Sequence, residues 1–525
     1  MNLAGTARLL RFHLRRDRLM LVWWVLGGTA YYWSQAVSTK SLYATQAEFD
    51  RAAANMANNA AFIAMAGPAR ALNTLGGQVA WQASAFGAII AGLMSMFLIG
   101  RHTRAEEETG RDELVRAGAV GRYAPLAAAS LVVVTANVLF GGLIAVSLIP
   151  YGLSVSGSVN LGLAGALSGL VFGAIALVAA QLTEGTRSMY GVTGAAIATS
   201  YVLRAVGDVG NGALSWLSPI GWGQAMHSFS DDRWWPALFS VAAIGALVPA
   251  ALVLFGRRDI GAGIWPARPG PEHAGPRLHG SLGLAWRLQR GSVLGWTVGL
   301  FLMGLAYGAI GNDVKDLLGN SDFSQEVFGQ AGGSLVDSFY AVAALLLALL
   351  AGGFSISSAL RPRGEEEGHR TETLLASALP RWRWAMSHLV VTVSGTVLVV
   401  ASAGLGLGVG FALVTGDGSA VPRLFGATLP YVAPVLLLVG LTWLAYGLVP
   451  RWTIVGWLAL AFCVIVMFLG ELMHFPAWLK DVSPFTHLPM LPAESFAWAP
   501  VLGLLAAAVA IGAAGFAALR HRDIA

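Results

Sequence analysis

Two segments of the chain carry three consecutive glutamates, each followed by an arginine and a fourth glutamate. They read RAEEETGRDE from residue 104 and RGEEEGHRTE from residue 363, 259 residues later. Carboxylates at this density can bind a cation or the basic surface of a partner protein. The charged residues that the two copies share are Arg104, Glu106, Glu107, Glu108, Arg111 and Glu113 in the first, and Arg363, Glu365, Glu366, Glu367, Arg370 and Glu372 in the second.

The other reactive side chains form no catalytic or metal-binding pattern in the sequence. Cys463 is the one cysteine, which excludes a disulfide framework and a cysteine metal site. The ten histidines lack metal-ligand spacing. The three lysines, Lys40, Lys315 and Lys480, follow Thr, Val and Leu instead of the glycine of a Walker A loop. The sequence therefore predicts a chain that is not an enzyme, with no metal, cofactor or nucleotide site of its own.

The elements that position the glutamates are predicted to be membrane helices. The chain is 56% hydrophobic and only 12% charged, about half the usual ~25% charged fraction, and a membrane span needs about 20 apolar residues. The runs without Asp, Glu, Lys or Arg are 19–39, 71–100, 123–183, 188–203, 234–256, 291–312, 338–360, 384–416, 424–450, 452–470 and 495–519. Because 123–183 is long enough for two spans, the sequence predicts an all-α polytopic membrane protein with twelve transmembrane helices.

The distribution of charge predicts the orientation of these helices. With both termini on one side, 25 of the 33 Lys and Arg lie on that side, whereas Asp and Glu divide evenly. The positive-inside rule makes this side cytoplasmic. The net positive charge of the chain therefore reflects its membrane topology. The basic residues are not concentrated in one patch, as they would be in a nucleic-acid-binding protein. We expect a multi-pass protein with both termini in the cytoplasm.

The two glutamate segments belong to a larger internal repeat. Aligned 259 residues apart they match at nine of twenty positions, and RRDIGAG (257–263) is echoed by HRDIA at the C-terminus. The chain therefore divides into a first half (1–256), a Pro/Gly-rich cytoplasmic linker (257–285) and a second half (286–525). Since each half has six spans, an even number, the two halves form a parallel repeat.

Within each half the glutamate segment falls between the second and third spans, at the cytoplasmic membrane edge. Acidic residues first and arginine later suit the dipole of a short helix, which Thr103 and Glu106 would cap in the first copy and Pro362 would start in the second. Three glutamates oppose the basic bias of this membrane face. We therefore favour docking of a basic partner over binding of a cation.

Other segments of the halves also indicate local structure. Before the first span an apolar stripe runs beside a basic stripe, which predicts a helix lying in the membrane interface. The stripes are Leu3, Ala7, Leu10 and Leu14, and Arg8, Arg11, Arg15 and Arg18. The second copy, around LAWRLQR (284–290), shows this pattern more weakly, and the first outer loop could hold a helix near 47–65.

Three groups of motifs resemble the permease subunits of ABC-2 type exporters. They are the EEE segments, LSPIGW (217–222) with DDRWWP (231–236), and VSPFTHLPMLPAE (482–494). The chain is most similar to the fused twelve-span kind associated with polyketide or tetronasin antibiotic export in actinobacteria, and its few lysines fit a GC-rich source. In many such permeases a proline closes the glutamate segment. Here only the second copy has it, at Pro380, which leaves open whether the two segments are equivalent.

The resemblance implies a function in the bacterial cell membrane. Such permeases export hydrophobic, drug-like or antibiotic-like substrates by alternating access, which supports multidrug efflux and antibiotic resistance. Two copies of a cytoplasmic ABC ATPase, binding ATP and Mg, would power transport, and the glutamate segments would be the coupling helices on which they dock. The loops around Ser218–Pro219 and Ser483–Pro484 would be short re-entrant outer helices that form a gate.

A central cavity would bind the substrate, and membrane lipid would surround the protein. Aromatic and methionine side chains suit an adaptable apolar cavity, although aromatics at span ends are commonly interfacial. The candidates are Trp23, Tyr31, Tyr32, Met94, Phe97, Trp296, Phe301, Met303 and Phe354. Arg204 and Glu471 interrupt spans at matching places and either pair across the halves, with Asp208 assisting, or mark the outer ends of short spans.

The alternative class is an ion-coupled secondary transporter of the major facilitator kind, which also has two parallel six-span halves. Such transporters usually carry a G-x-x-x-D-R-x-G-R-R-like loop between spans two and three. The glutamate segment takes its place here, which favours the exporter interpretation.

Overall fold

The computed structural model describes residues 2–43, 45–57, 60–265, 280–310, 335–470 and 475–522, with positions 272, 273, 275 and 278. The described residues are mainly helical, and no strand occurs among them. The chain divides into two compact units, Met1–Gly270 and Pro271–Ala525. The boundary between the units falls inside the segment 257–285 that the sequence indicates as a linker.

The first unit contains twelve described α-helices. They are α1 (Thr6–Arg16), α2 (Arg18–Leu42), α3 (Gln46–Ala57), α4 (Ala60–Ala66), α5 (Leu75–His102), α6 (Arg104–Glu108), α7 (Arg111–Arg116), α8 (Ala124–Leu148), α9 (Val155–Leu182), α10 (Thr186–Val209), α11 (Pro219–Gln224) and α12 (Ala237–Arg257). The hairpin predicted inside 123–183 is formed by α8 and α9 with a 3-10 turn at Ile149–Tyr151 between them.

The described part of the second unit contains ten α-helices. They are α13 (Ser281–Gly308), α14 (Leu335–Ala359), α15 (Arg361–Glu367), α16 (Arg370–Leu375), α17 (Arg381–Thr415), α18 (Ala420–Thr428), α19 (Val432–Leu448), α20 (Ile454–Leu469), α21 (Ala477–Lys480) and α22 (Trp498–His521).

Ten helical stretches among the described residues are long and apolar enough to cross a membrane. They are built on α5, α8, α9, α12, α13, α14, α17, α19, α20 and α22. The remaining two predicted spans correspond to α2 and α10, which have 25 and 24 residues. At about 36 Å they are long enough to cross a membrane, but they are less apolar than the other ten. The structure thus confirms a polytopic all-α membrane protein, and the count of twelve spans stays a prediction.

Helices within each unit approach closely through glycine. A methyl group on Gly141 of α8 or Gly162 of α9 would overlap the other residue's backbone, and Gly304 and Gly406 make similar backbone contacts between α13 and α17. Small residues let transmembrane helices pack at short range, where dispersion contacts replace the missing hydrophobic driving force. This packing holds long helices of each unit together at short range.

The two units begin differently. The predicted interfacial helix is α1, whose Arg8, Arg11 and Arg15 are exposed while Leu10 and Leu14 pack toward the core. Asp17 interrupts the helix between α1 and α2 with φ −103° and ψ 15°. In the second unit LAWRLQR lies within the continuous 28-residue helix α13, so it forms no separate helix there.

The outer segments are also helical where the structure describes them. The helix expected near 47–65 is two helices, α3 and α4, and its second-half counterpart lies outside the described residues. The two Ser-Pro loops each start a short helix at the proline, α11 at Pro219 and a 3-10 helix at Pro484–His487.

Candidate functional site

Each glutamate segment folds as two short helices joined by one left-handed residue. The helices are α6 and α7 in the first copy and α15 and α16 in the second, where single helices were expected. The left-handed residue is Gly110 (φ 70°) in the first copy and His369 (φ 53°) in the second, at the same position of the repeat. The repeat therefore extends from sequence to backbone conformation, although only the first copy has the glycine that favours this region.

The start of the segment is as expected in the second copy only. Pro362 lies in the first turn of α15. The capping box predicted for Thr103 and Glu106 is wrong. The Thr103 hydroxyl donates to the Ile99 carbonyl at 2.6 Å, and the Glu106 carboxylate accepts from Arg16.

The middle glutamate of both triplets is held by the arginine that follows the last helix of its own unit. Arg258 Nη1 donates to Glu107 Oε2 at 3.0 Å, and Arg258 Nη2 lies 2.5 Å from Glu107 Oε1. In the second unit Arg522 Nη2 donates to Glu366 Oε2 at 2.8 Å, and the Tyr446 hydroxyl donates to the same oxygen at 2.8 Å. Charge-assisted bonds of this kind are about twice as strong as neutral ones.

A second pair of contacts joins the same elements in both units. Arg122 Nη2 donates to the Gly256 carbonyl at 3.3 Å, and Arg381 Nη1 donates to the Arg522 carbonyl at 3.2 Å. Both carbonyls lie at the C-terminal end of the last helix, where the helix dipole favours a cation. The glutamate segment and the residues after it are therefore fastened to the end of the last span in each unit.

The first glutamate of the triplet has different partners in the two units. Arg16 Nη1 donates to Glu106 Oε1 at 2.7 Å, which ties the segment to α1. Glu365 is buried and forms ion pairs with Arg361 at 2.8 Å and Arg370 at 2.6 Å, both within the segment itself.

The third glutamate also differs. Glu108 accepts hydrogen bonds from the Thr186 backbone N–H at 2.7 Å and the Thr186 hydroxyl at 2.8 Å, so its carboxylate caps the N-terminus of α10. This contact joins the segment to the TEGTR turn (183–187) between α9 and α10. Glu367 is 63% exposed and pairs with Arg363 of its own helix at 2.8 Å.

Arg104 was predicted to face a partner and instead is fully buried. Its guanidinium donates to the carbonyls of Ala180 at 2.5 Å and Ala262 at 3.0 Å, and to Glu107 at 2.9 Å. The docking prediction is therefore wrong for Arg104 and Glu107, because a buried, fully paired charge presents nothing to a partner. The corresponding Arg363 is 32% exposed.

The surface that the segments do present is formed mainly by their second short helices. Arg111, Glu113 and Leu114 are exposed on α7, and the Leu114 side chain is 78% exposed. On the second segment Arg370 and Glu372 are 59% and 55% exposed. Sequence reasoning missed Leu114, a leucine in a charged stretch. It also missed Arg258 and Arg522, whose signal was the repeated Arg-Asp-Ile.

Arg204, the described intramembrane charge, is bound within its own unit. It is fully buried and donates to the carbonyls of Ala64 at 2.8 Å and Met65 at 3.0 Å, at the end of α4. Asp208 lies 3.5 Å away, as expected, and the Tyr201 ring lies beneath the guanidinium. Arg204 thus anchors α4 to α10, and Glu471 lies outside the described residues.

The residues expected at an outer gate are buried. Ser218 caps α11 by accepting from the Gly221 N–H at 3.2 Å, and its hydroxyl donates to the Ser200 carbonyl at 2.7 Å. Pro219 follows at the first helical position. Ser483 and Pro484 are buried at the start of the second short helix. A gating role for these four residues stays a prediction.

The candidate cavity residues do not share one environment. Tyr32, Met94 and Phe354 are buried in the cores of their own units, so these three stabilise the fold instead of lining an open cavity. Trp23, Phe97 and Met303 are at least one-third exposed, and Tyr31, Trp296 and Phe301 are half-buried. For these six residues, substrate contact stays a prediction.

The fold and the site define a polytopic helical membrane protein with a duplicated, internally anchored acidic segment. The chain is 38% identical over 528 aligned positions to the multidrug efflux system permease protein Rv1217c of Mycobacterium tuberculosis. The alignment covers 99% of this chain and 95% of the relative. Residues 278–520 match the family model of the C-terminal domain of that multidrug efflux system permease. The chain belongs to this family of multidrug efflux permeases.

Proposed function

We propose that this chain is the membrane subunit of an ATP-driven exporter of the ABC-2 type, which moves hydrophobic drug-like or antibiotic-like molecules out of the cell. Membership of a multidrug efflux family supports the substrate class. The sequence has no Gly-Lys-Ser/Thr loop, so ATP and Mg would be bound by separate ATPase subunits. The observation that carries the proposal is the glutamate segment, which occurs twice with the same two-helix form and is fastened to the membrane helices in both units.

The fastening supports a role in transmitting force. In the first unit the segment is tied to α1 through Arg16, to α10 through Thr186 and to the end of α12 through Arg258. A partner that pushes α6 and α7 therefore displaces several helices together. Chains of packed side chains, hydrogen bonds and ion pairs that link rigid elements can carry coupling between distant sites.

The mechanism follows from this linkage. ATP binding would close two ATPase subunits against each other and move the two segments that they hold. The transmembrane helices fastened to those segments would then change the access of a central cavity from the cytoplasm or inner leaflet to the outside. Both termini and both segments are cytoplasmic in this arrangement, as the positive-inside distribution predicts.

The docking contact itself is assigned to the exposed second helices, α7 and α16. Leu114 offers an apolar anchor with arginine and glutamate beside it, which is the composition of an interface centre with a polar rim. Thr373 is exposed at the matching position of the second segment. The two ATPase contacts would therefore differ in strength.

The test is co-purification of this chain with candidate ABC ATPase subunits from the same cell. The variants are Leu114→Glu, Thr373→Glu and the double variant, with Val482→Glu as a control at an exposed apolar residue in the loop before Pro484. We expect two ATPase copies on the wild type and the control, one on each single variant and none on the double variant. The apparent unfolding temperature should stay unchanged, since both substituted side chains are exposed.

Two results would contradict the proposal. One is a wild type that purifies alone and transports in vesicles under a proton gradient without ATP, which would establish the major facilitator alternative. The other is a double variant that keeps both ATPase copies.

A further inference from the structure

The first unit has a cavity of about 350 Å³ among the segments that precede α5, follow α10 and precede α12. The glutamate segment lies at the other end of α5, about 42 Å along that helix, so the cavity is at the opposite membrane face. Ligand sites commonly enclose about 300–1,000 Å³, which this space matches. Its lining includes charged and aromatic side chains, from Arg70, Asp208, Trp216, His227, Arg233 and Trp235.

Arg70 brings a positive charge to the cavity without a counter-charge of its own. Its Nη1 donates to the Gln224 carbonyl at 3.2 Å, and no other hydrogen bond or ion pair joins its guanidinium to the described residues. The remaining guanidinium nitrogens are open to solvent, on a side chain that lines the cavity. Burial lowers the pKa of Arg70 below its usual value, an effect that Asp208 opposes and Arg233 reinforces. The half-buried guanidinium can therefore accept an anion as partner.

The carboxylate that lines the cavity is already engaged elsewhere. Asp208 accepts a hydrogen bond from the Ser215 hydroxyl at 2.6 Å, and the fully buried Arg204 lies 3.5 Å from it. Only 8% of the Asp208 side chain is exposed. Asp208 thus balances the charge of Arg204 and leaves Arg70 without an ion-pair partner among the residues that the structure describes.

A second guanidinium lines the same cavity. Arg233 Nε lies 2.5 Å from the carboxylate of Asp231, whose other oxygen is 2.6 Å from His227. The Arg233 side chain is 47% exposed, and within the described chain its two Nη groups have no acceptor. Two guanidinium groups at one cavity provide the planar, multiple donors that bind a carboxylate or a phosphate.

Two indole rings also line the cavity. Trp216 and Trp235 are stacked, with ring centroids 5.4 Å apart and an interplanar angle of 21°. Phe239 packs against both rings and so holds the pair in place. The indoles remain 39% and 50% exposed. Aromatic rings stack on such a surface with more stability than aliphatic groups of similar size.

The two loops that build the cavity have unusual backbone conformations. Of the five described residues other than glycine with positive φ, four lie in these loops: Ala71 (48°), His227 (51°), Phe229 (63°) and Asp232 (38°). The Phe229 ring packs over Gly76 and Gly157, where any side chain would overlap it. Conformations of this kind cost energy and are concentrated at ligand sites and other functional positions. The fold therefore holds the shape of the cavity at the expense of local strain.

The cations of this cavity are not part of the internal repeat. The two Ser-Pro motifs place the loop 220–236 of the first half opposite 485–497 of the second. The second loop contains no arginine or lysine. The sequence of the first half alone therefore carries this set of residues.

We propose that the cavity binds an aromatic carboxylate, a flat organic anion. Its carboxylate accepts hydrogen bonds from Arg70 and Arg233, and its ring packs against Trp216 and Trp235. An uncharged aromatic molecule would leave Arg70 unpaired, and an aliphatic anion would make poorer use of the indoles. The phosphate of a membrane lipid is the other source of an oxyanion, and the test distinguishes the two.

This site goes beyond the proposed transport function and holds whichever energy source drives transport. It lies on the outer side of the membrane in the predicted orientation. Its ligand would therefore reach it from outside the cell or at the end of an export step.

The test measures binding of 2-naphthoate by equilibrium dialysis to the full chain in phosphatidylcholine nanodiscs, with empty nanodiscs as background. 2-Naphthamide has the same ring without the charge, and cyclohexanecarboxylate has the charge without the aromatic ring. We expect 2-naphthoate to bind about tenfold more tightly than 2-naphthamide, because the amide lacks the charge-assisted hydrogen bonds. It should bind about fivefold more tightly than cyclohexanecarboxylate, which lacks the ring stacking.

Three variants assign these contributions to residues. Arg70→Gln should weaken 2-naphthoate binding about tenfold and leave 2-naphthamide binding unchanged. Trp235→Leu should weaken binding of 2-naphthoate more than that of cyclohexanecarboxylate. Arg51→Gln removes an exposed arginine from α3, outside the cavity, and is the control. If Arg70→Gln unfolds at a lower temperature than the wild type, Arg233→Gln decides, because that side chain is half exposed.

Three outcomes would overturn the proposal. Equal binding of 2-naphthoate and 2-naphthamide would show a surface that takes rings without regard to charge. Wild-type affinity in both arginine variants would place the anion elsewhere. Loss of 2-naphthoate binding in nanodiscs that contain phosphatidylglycerol, measured against empty nanodiscs of the same composition, would assign the cavity to a lipid headgroup.

Discussion

The two glutamate segments share a backbone conformation but differ in what holds it. In the first unit the three glutamates bind distant elements: Arg16 before the first span, Arg258 after the last and Thr186 at the start of α10. In the second unit Glu365 and Glu367 bind arginines of their own segment, and only Glu366 reaches a distant one.

The difference shows that one charge pattern, repeated within a chain, can be held by two different sets of contacts. We expect the first segment, in which each of the three glutamates binds a different distant element, to move together with its helices. The second segment is fastened to distant elements through Glu366, by Arg522 and Tyr446, and should shift more independently. The degree of burial agrees with this contrast. The Glu107 and Arg258 side chains are 7% and 3% exposed, against 11% and 13% for Glu366 and Arg522.

We expect the largest difference in stability between the units from substituting the arginine that follows the last helix of each unit. Arg258→Gln removes the two-point pair with Glu107 and also the bonds that this buried guanidinium donates to Gln181 and the Ala262 carbonyl, and it should cost about 3 kcal/mol in the free energy of unfolding. Arg522→Gln should cost about 1 kcal/mol, because Glu366 keeps the Tyr446 hydroxyl and more contact with water. Denaturant unfolding in detergent measures both. Arg257→Gln, at an exposed neighbour, is the control, and equal losses for the first two variants would contradict the contrast.

A smaller difference is expected at the third glutamate. Glu108→Ala removes the cap of α10 and should cost about 1 kcal/mol, the usual value for a helix N-cap. Glu367→Ala breaks only an exposed pair and should change the free energy of unfolding by less than about 0.5 kcal/mol. Hydrogen exchange of the first turn of α10 gives a local readout. Unchanged exchange in the Glu108 variant would show that the cap carries no stability.

Substitutions of the two left-handed residues, Gly110 and His369, should change the free energy of unfolding in opposite directions. Gly110→Ala places a side chain at φ 70° and should cost about 1 kcal/mol. His369→Gly relieves the same conformation and should gain less than about 1 kcal/mol, because glycine also increases the entropy of the unfolded chain. Unfolding temperatures of the two variants in nanodiscs measure both changes. A loss in the histidine variant would mean that its contact with Glu372 outweighs the strain.

We expect the smallest effect on stability from a change of pH, which acts on His13 in α1 of the first unit. Burial, and then the charge of Arg16, lower the pKa of His13 below 6.5, while Glu106 and Asp17 act in the opposite direction, and the His102 ring lies 4.1 Å away. Neutral His13 therefore contributes stability that is present above pH 6.5 and is lost as the pH falls below it.

The measurement is the unfolding temperature from about pH 7.5 to about pH 5. We expect a fall in the wild type that His13→Leu reduces. The second unit has Ala285 at the position that corresponds to His13, so that position contributes no such dependence there. A fall that is identical in both proteins would assign the effect to other groups.

Much of the fold follows from the sequence because hydropathy is a local property. The charge-free runs located the long helices, the 123–183 run gave its hairpin, and the Arg8–Arg15 stripe gave α1. The break between α1 and α2 was not evident, because it depends on Asp17, whose carboxylate lies 2.8 Å from Arg101 and 3.0 Å from His102 of α5.

The site was predicted in position but not in orientation. The repeat identified the glutamates, yet it could not show that Arg104 and Glu107 face inward, since a five-residue helix has no periodic pattern long enough to mark its buried side. Arg258 and Arg522 were visible as an echo between the halves. Their partners lie 151 and 156 residues away along the chain, a separation that no local pattern encodes.

The sequence by itself determined the class of protein, its helical spans and its duplicated acidic segment, because each depends on composition and spacing along one stretch of chain. Only the tertiary structure decided which glutamates are available to a partner and which fasten the segment. Those roles depend on helix ends that tertiary packing brings together, where a buried charge is stable only if its counter-charge arrives at the same place.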